Sequence, residues 1–436
     1  MQDFDVPLYL HAEFLPNIRQ ITLYVSLPGT AALQGIRPEV QLSESRKAVT
    51  VSLPKPFENV TETIKLPARV NEASRRALKS SAPAAKSDSH SAESASYDFS
   101  FRMQIDPEDE VLAPQDELID DFVPWTAEEM SSSTRIRCRG CGNVFLDPSI
   151  PDSHEQPDKD FAGWVWKDLP SGNWAEMMDF WHCHKPDPHE DHDKDEKDSA
   201  LKIEDQTAQT KGYGAESHVV AISGTVLVDV ATFLLAEGDC TGLRKGDDEE
   251  QKSTTAVSTQ RTLDCANCNA IIGMEDPIAN GWRLLKANVS LNTKSTDSDP
   301  DWEDHATETI VAAQLLELIE RESARRFVVH CGQKNGLVLW VFNPDMRYSN
   351  SSAGCSIMAQ QAMKVFYQES ADVDGLLHPE IGNPSPLSVE ELELPSMIFD
   401  AMSRALNGSN EMLPVSARRF NEWHVGFLSR YKRGKA

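Results

Sequence analysis

Four cysteines fall in two Cys-x-x-Cys pairs, Cys138 with Cys141 in "RIRCRGCGNVF" and Cys265 with Cys268 in "TLDCANCNAII". Thiolates at this spacing on a tight turn are ordinary ligands of tetrahedral zinc, and two facing turns supply all four. Each pair is entered from a strand-like run. Each is followed by Gly142 or Asn269, residues that tolerate the left-handed backbone a knuckle needs. From Cys141 to Cys265 is 124 positions, far longer than a simple zinc ribbon uses. One structural zinc on Cys138, Cys141, Cys265 and Cys268 is the first expectation. A redox dithiol and unbonded core cysteines are the alternatives, although neither pair opens a helix that would depress a thiol pKa. A closed four-thiolate site has no open position and does not catalyse.

A second candidate lies in "NWAEMMDFWHCHKP". Asn173 and Glu176 form an approximate capping box, and Trp174, Met177, Met178 and Trp181 make one apolar face of a helix over 173–184. Pro186 ends it. Three readings stay open: a core helix whose terminal His184 meets the last carbonyls, a second metal site using Cys183 and His184, and a nucleophilic Cys183. Neighbouring helical residues do not face each other, so His182 and His184 are poor bases for Cys183. In "LLAEGDCTGLRK", Asp239 and Cys240 read as a β-turn or as a loop offered to a partner.

The elements that must position these residues come from patterning. "ITLYVSLP", "AVTVSLP" and "TETIKLP" read as strands in a mostly β region over 1–135 with a small, polar, disordered insertion at 70–96. A zinc-binding region follows over 136–295, with polar loops at 185–216 and 244–260 and further strands in "RTLDCANCNAIIG" and "GWRLLKANVSL". Over 296–436 the character is α+β. Here "ATETIVAAQLLELIERESARR" has a helical period, "RFVVHCG" and "GLVLWVFNPD" read as strands, and "GCSIMAQQAMKVFYQES" reads as a helix. The expected class is α+β: a mostly β N-terminal part with a split four-cysteine zinc ribbon, then an α+β C-terminal part.

The chain has 436 residues, with 69 acidic against 42 basic side chains and a net charge of -27. That excess disfavours direct nucleic-acid binding. No run is long and apolar enough for a membrane helix and no secretory signal is seen, so a cytoplasmic or nuclear location is expected.

The segments "RIRCRGCG", "LPSGNWAEMMDFWHCH", "GDCTGL", "LDCANCNAIIG", "GWRLLKANVSL", "LVLWVFNPDMRYS" and "AMKVFY" together resemble the HECT-like ubiquitin-conjugating-enzyme-binding family, described as ubiquitin ligases. The resemblance runs from about residue 8 to 370. It implies binding to a ubiquitin-conjugating enzyme and to ubiquitin, and transfer of ubiquitin to protein lysines. A HECT-type ligase would accept ubiquitin on a cysteine thiolate. With four cysteines assigned to zinc, Cys183, Cys240, Cys331 and Cys355 remain. Cys331 reads as core. Cys355 precedes the expected helix, whose N-terminus would lower its pKa, so Cys183 and Cys355 are the catalytic candidates. True HECT domains carry the nucleophile near the chain end, and this chain has no cysteine after Cys355. The resemblance also implies a link to pre-messenger-RNA cleavage. The non-enzymatic alternative is a zinc-stabilised adaptor or inhibitor, with Asp239 and Cys240 occupying a partner endonuclease's metal centre.

Overall fold

The computed structural model describes residues 7–80, 84–86, 96–109, 121–148, 163–169, 219–246, 261–293, 301–332, 334–352, 355–378 and 389–433. The chain divides into two compact units, Met1–Phe122 with Leu318–Ala436, and Val123–Glu317. Secondary structure is mostly β, with four α-helices among the described residues.

The first unit opens with β1 (Tyr9–Leu15) and β2 (Gln20–Pro28). A separate three-stranded sheet, β3 (Glu39–Leu42), β4 (Ala48–Ser52) and β5 (Thr61–Lys65), follows. Helix α1 (Glu72–Ser80), β6 (Ala84–Lys86) and β7 (Ser96–Gln104) complete this stretch. Within the insertion expected to be disordered at 70–96, residues 72–80 form α1 and 84–86 form β6, while 81–83 and 87–95 lie outside the described residues. The Asn71 side chain accepts from the Ser74 amide at 2.8 Å, which starts the helix. The Ser74 hydroxyl then accepts from the Gln104 amide at 2.8 Å and ties the helix to β7.

The second unit holds two sheets. One has three strands in the order β17 (Val289–Asn292), β8 (Arg135–Cys138), β9 (Val144–Leu146). The other has seven: β10 (Val165–Asp168), β11 (Thr225–Val228), β12 (Thr232–Leu235), β16 (Gly281–Leu285), β15 (Ile271–Asp276), β14 (Thr262–Cys265) and β13 (Leu243–Lys245). Residues 244 and 245, expected at the start of a polar loop, belong to β13 because it pairs antiparallel with β14. The core joins Ile136, Phe145, Phe233, Leu263, Ile272, Leu284 and Val289, all fully buried.

Lys286 is the exception in that core. Its side chain is wholly buried, and its Nζ donates to the carbonyls of Pro124 at 2.8 Å and Trp125 at 3.1 Å, with the Phe233 ring 5.2 Å away. Burial lowers its pKa to about 7, against the pull of Asp229, Asp168 and Glu129. Lys286→Met is expected to cost about 2–3 kcal/mol in urea denaturation, because two buried carbonyls lose their donor while the apolar stem is kept.

Helix α2 (Thr307–Glu322) returns the chain to the first unit and buries Ile310, Val311, Ala313, Leu315 and Ile319 of the expected apolar stripe, with Leu316 half-buried and Leu318 buried beside it. There β18 (Arg326–His330), β19 (Gly336–Asn350), β20 (Gln360–Ser370), α3 (Val373–Leu377), β21 (Glu390–Glu393), α4 (Ser396–Met412), β22 (Arg419–Phe420) and β23 (Trp423–Ser429) follow. The ten-stranded sheet runs β22-β23-β20-β19-β1-β2-β7-β6, with β18 on β19 and β21 beyond it. Both ends of the chain thus share one sheet through β1 against β19, His11 opposite Asn350. Register shifts in β19 fall on either side of Asn343, and the second spans Pro344, which has no amide to give to the ladder.

The segment expected as a helix after Gly354 is strand β20. It lies between β19 and β23, and Ala362 to Tyr367 are buried on both faces. Helix α4 packs Ile398, Met402, Leu406 and Ser409 inward. It approaches β23 so closely that a Cβ on Gly426 would stand 3.0 Å from the Leu406 carbonyl.

Candidate functional site

The cysteine turns are two copies of one device. In the first, the Cys138 amide donates to the Asn143 carbonyl at 2.7 Å and the Gly142 amide to the Cys138 carbonyl at 2.9 Å. In the second, the Cys265 amide donates to Ala270 at 2.8 Å and the Asn269 amide to Cys265 at 2.9 Å. Gly142 has φ +76° and Asn269 φ +60°, the left-handed backbone that lets each turn close.

The turns belong to different sheets, one on β8–β9 and the other on β14–β15, which pack on a common core, and all four sulfurs lie within 4.8 Å of one another. Cys138 Sγ is 3.7 Å from Cys268 Sγ, and Cys141 Sγ is 3.5 Å from Cys265 Sγ. Both of these approaches run between the turns, and none of the four forms a disulfide. Cys138 and Cys265 are buried, whereas Cys141 and Cys268 are exposed.

Donors converge on the sulfurs. The Asn267 side chain and then the Asn143 amide hold the Cys141 thiol down to about 6, favouring its thiolate form. Burial pushes Cys138 up to about 12, against the amides of Cys141 and Gly140 that donate to its sulfur. The Asn143 side chain reaches Cys265 Sγ at 3.6 Å. Such a cluster could hold a metal ion.

The Asp239–Gly242 segment braces this centre. Thr241 donates its amide to Phe145 at 2.9 Å. The Gly242 carbonyl accepts from the Ala266 amide at 2.9 Å and from Asn143 Nδ2 at 2.9 Å. Gly242 has φ +67°, and a Cβ there would stand 2.6 Å from Asn143 Nδ2. Asp239 is buried and accepts from the Ser223 hydroxyl at 2.6 Å and the Gly224 amide at 2.8 Å. Cys240 packs on the core, and burial followed by Asp239 and Glu237 keeps its thiol protonated. Asn143, Asn267 and Gly242 are the supporting residues that spacing alone does not reveal. The only sequence signal for them is an Asn inside or just after each cysteine pair and a Gly in "CTG".

Cys183 and His184 lie outside the described residues, as does the helix expected over 173–184 and the loop at 185–216. Cys355 is half-buried and its amide donates to the Ser352 carbonyl at 3.1 Å. The next element is β20, so the helix N-terminus expected to activate Cys355 does not exist. Cys331 is half-buried just after β18.

Residues 13–425 match the family described as HECT-like ubiquitin-conjugating enzyme (E2)-binding, and the chain belongs to that family. An uncharacterized protein of Saccharomyces cerevisiae is 25% identical over 70% of this chain and 72% of its own length. One of Schizosaccharomyces pombe is 24% identical over 71% of this chain and 78% of its own. An E3 ubiquitin-protein ligase of Mus musculus is 24% identical over 60% of this chain and 64% of its own. No solved structure matches. The family implies a ubiquitin-conjugating enzyme as partner and supports a ligase-related role.

Proposed function

We propose that this protein is a ubiquitin-protein ligase that binds a charged ubiquitin-conjugating enzyme and promotes ubiquitin transfer to protein lysines. The family match over residues 13–425 carries the reading. In the transfer the lysine amine attacks the thioester carbonyl. The isopeptide C–N bond forms, the C–S bond breaks, and the sulfur leaves as a thiol with the proton the amine gives up. The cysteine acceptors read from the sequence are Cys183 and Cys355. The adaptor alternative draws no support from the loop it needs, since Asp239 and Cys240 are engaged within the protein.

The four-cysteine centre is proposed as a structural zinc site. With Zn–S bonds of about 2.3 Å a tetrahedral site has sulfur–sulfur edges of about 3.8 Å, and the cross-turn separations of 3.5 and 3.7 Å suit that figure. Bound zinc would supply charge to hold four thiolates and no open coordination position. Its residues therefore fix the fold of the second unit and take no part in transfer.

Incubation with activating enzyme, a panel of conjugating enzymes and labelled ubiquitin is expected to give reductant-resistant, lysine-linked products that depend on this protein. Their absence across the panel would sink the ligase reading. A reductant-sensitive adduct lost in Cys183→Ala or Cys355→Ala identifies a thioester on that cysteine. Lysine products without such an adduct place the thioester on the conjugating enzyme alone.

A further inference from the structure

Phe342 and Phe420 are 42% and 47% exposed, and they are the two phenylalanine rings left open to solvent among the described residues. They are not scattered. Both stack on one buried ring, Phe366, at centroid distances of 4.8 and 5.0 Å and interplanar angles of 22° and 13°. Trp340 meets Phe366 edge-on at 5.3 Å and Trp423 at 6.4 Å. The register explains the cluster: Trp340 is directly opposite Phe366, and Phe420 directly opposite Trp423. Five rings thus form one platform on a face of the ten-stranded sheet, held by the strands rather than by a loop. Each exposed phenylalanine offers on the order of 100 Å² of rigid apolar surface.

The border is cationic. The Arg326 guanidinium lies 5.2 Å over the Trp340 ring, and Arg419 is paired in register with His424, its Nη2 3.3 Å from Nε2. Neither arginine has a carboxylate within ion-pair distance among the described residues, although the whole chain carries a net charge of -27. Trp, Phe and Arg around a pre-packed apolar centre are the residue types that dominate protein–protein hot spots. A second copy is a poor occupant, because a twofold contact would set two guanidinium-bordered platforms, on two strongly acidic chains, against each other.

We infer that this aromatic platform is the surface on which the ubiquitin-conjugating enzyme docks. An apolar side chain of that enzyme packs against Phe342 and Phe420, and carboxylates beside it meet Arg326 and Arg419. The inference rests on the ligase reading for its partner, and residues 340 to 423 fall within the family match.

The test titrates the full chain against each member of a panel of immobilised conjugating enzymes. Phe342→Ala and Phe420→Ala are expected to weaken binding at least about tenfold. Arg326→Glu should weaken it too and flatten its salt dependence. Ile278→Ser, a control at a 73% exposed site in the second unit, should bind as wild type. Thermal melts show whether each variant is folded, and Arg326→Glu and Arg419→Glu keep the test open if a phenylalanine variant unfolds. Wild-type binding that survives the Phe342→Ala, Phe420→Ala double variant overturns the platform and leaves the ligase reading standing. Failure of the wild type to bind any member overturns both. A dimer abolished by Phe420→Ala, with enzyme affinity unchanged, assigns the platform to a second copy instead.

Discussion

A zinc chelator strong enough to strip the cysteine centre is expected to lower the unfolding midpoint by about 10 °C or more. Cys138→Ser and Cys265→Ser should each do the same without chelator. The size follows from what the metal would hold. Zinc in isolated fingers contributes about 10–16 kcal/mol of apparent folding energy. Even about 5 kcal/mol of this, at about 2–4 °C per kcal/mol for a domain of this size, gives a shift of 10–20 °C. Cys138 is 1% exposed and Cys265 fully buried, so losing the ion leaves two sulfurs inside the core with their turns still in a left-handed conformation. Elemental analysis should return at least one zinc per chain. A protein that contains no metal and melts at the same temperature with or without chelator would refute the site.

The turns of this centre are legible in the sequence because their chemistry is local. Two cysteines, a spacing of three and a residue that accepts positive φ need nothing from the rest of the chain. The brace is not legible. "GDCTGL" has the residue types of a reactive loop, yet Gly242 acts through its carbonyl and the absence of a Cβ, which depend on where Asn143 arrives. Strand β20 fails for a related reason. Burial on both faces erases the alternation that marks a half-exposed strand, and a short apolar run reads equally as helix. Helix α1 is the converse case, a polar segment ordered by the Asn71 cap and by the Ser74 contact with β7. The pairing of β1 with β19 joins distant parts of the chain, and no local pattern encodes it.

Lys364→Met is expected to cost about 3–5 kcal/mol at neutral pH, and its pH dependence should run opposite to that of the wild type. Glu13 sits on β1, its side chain 2% exposed. Its carboxylate accepts from Lys364 Nζ at 2.6 Å and from His11 Nε2 at 3.2 Å. Burial alone would raise the Glu13 pKa, but Lys364 and His11 outweigh it and hold the group down to about 2, from 4.5. A folded pKa below the unfolded one means that Glu13 contributes stability above pH 4.5. That contribution, roughly 3 kcal/mol, is lost as pH falls from 4.5 toward 2. Removing the ammonium leaves burial in place and takes away the main opposing charge, so the folded pKa rises above the unfolded one. The folded variant then binds the extra proton, and its stability falls as pH rises from 4.5 through the raised value. The other carboxylates contribute equally to both proteins, so the difference between their urea-unfolding free energies at pH 4.5 and pH 7 isolates Glu13. The gap should widen toward pH 7. Adding Glu13→Leu to Lys364→Met should recover most of the loss, since an apolar pair in that space leaves no buried charge without a partner. A gap that stays constant with pH would show that Glu13 does not draw its ionisation from Lys364.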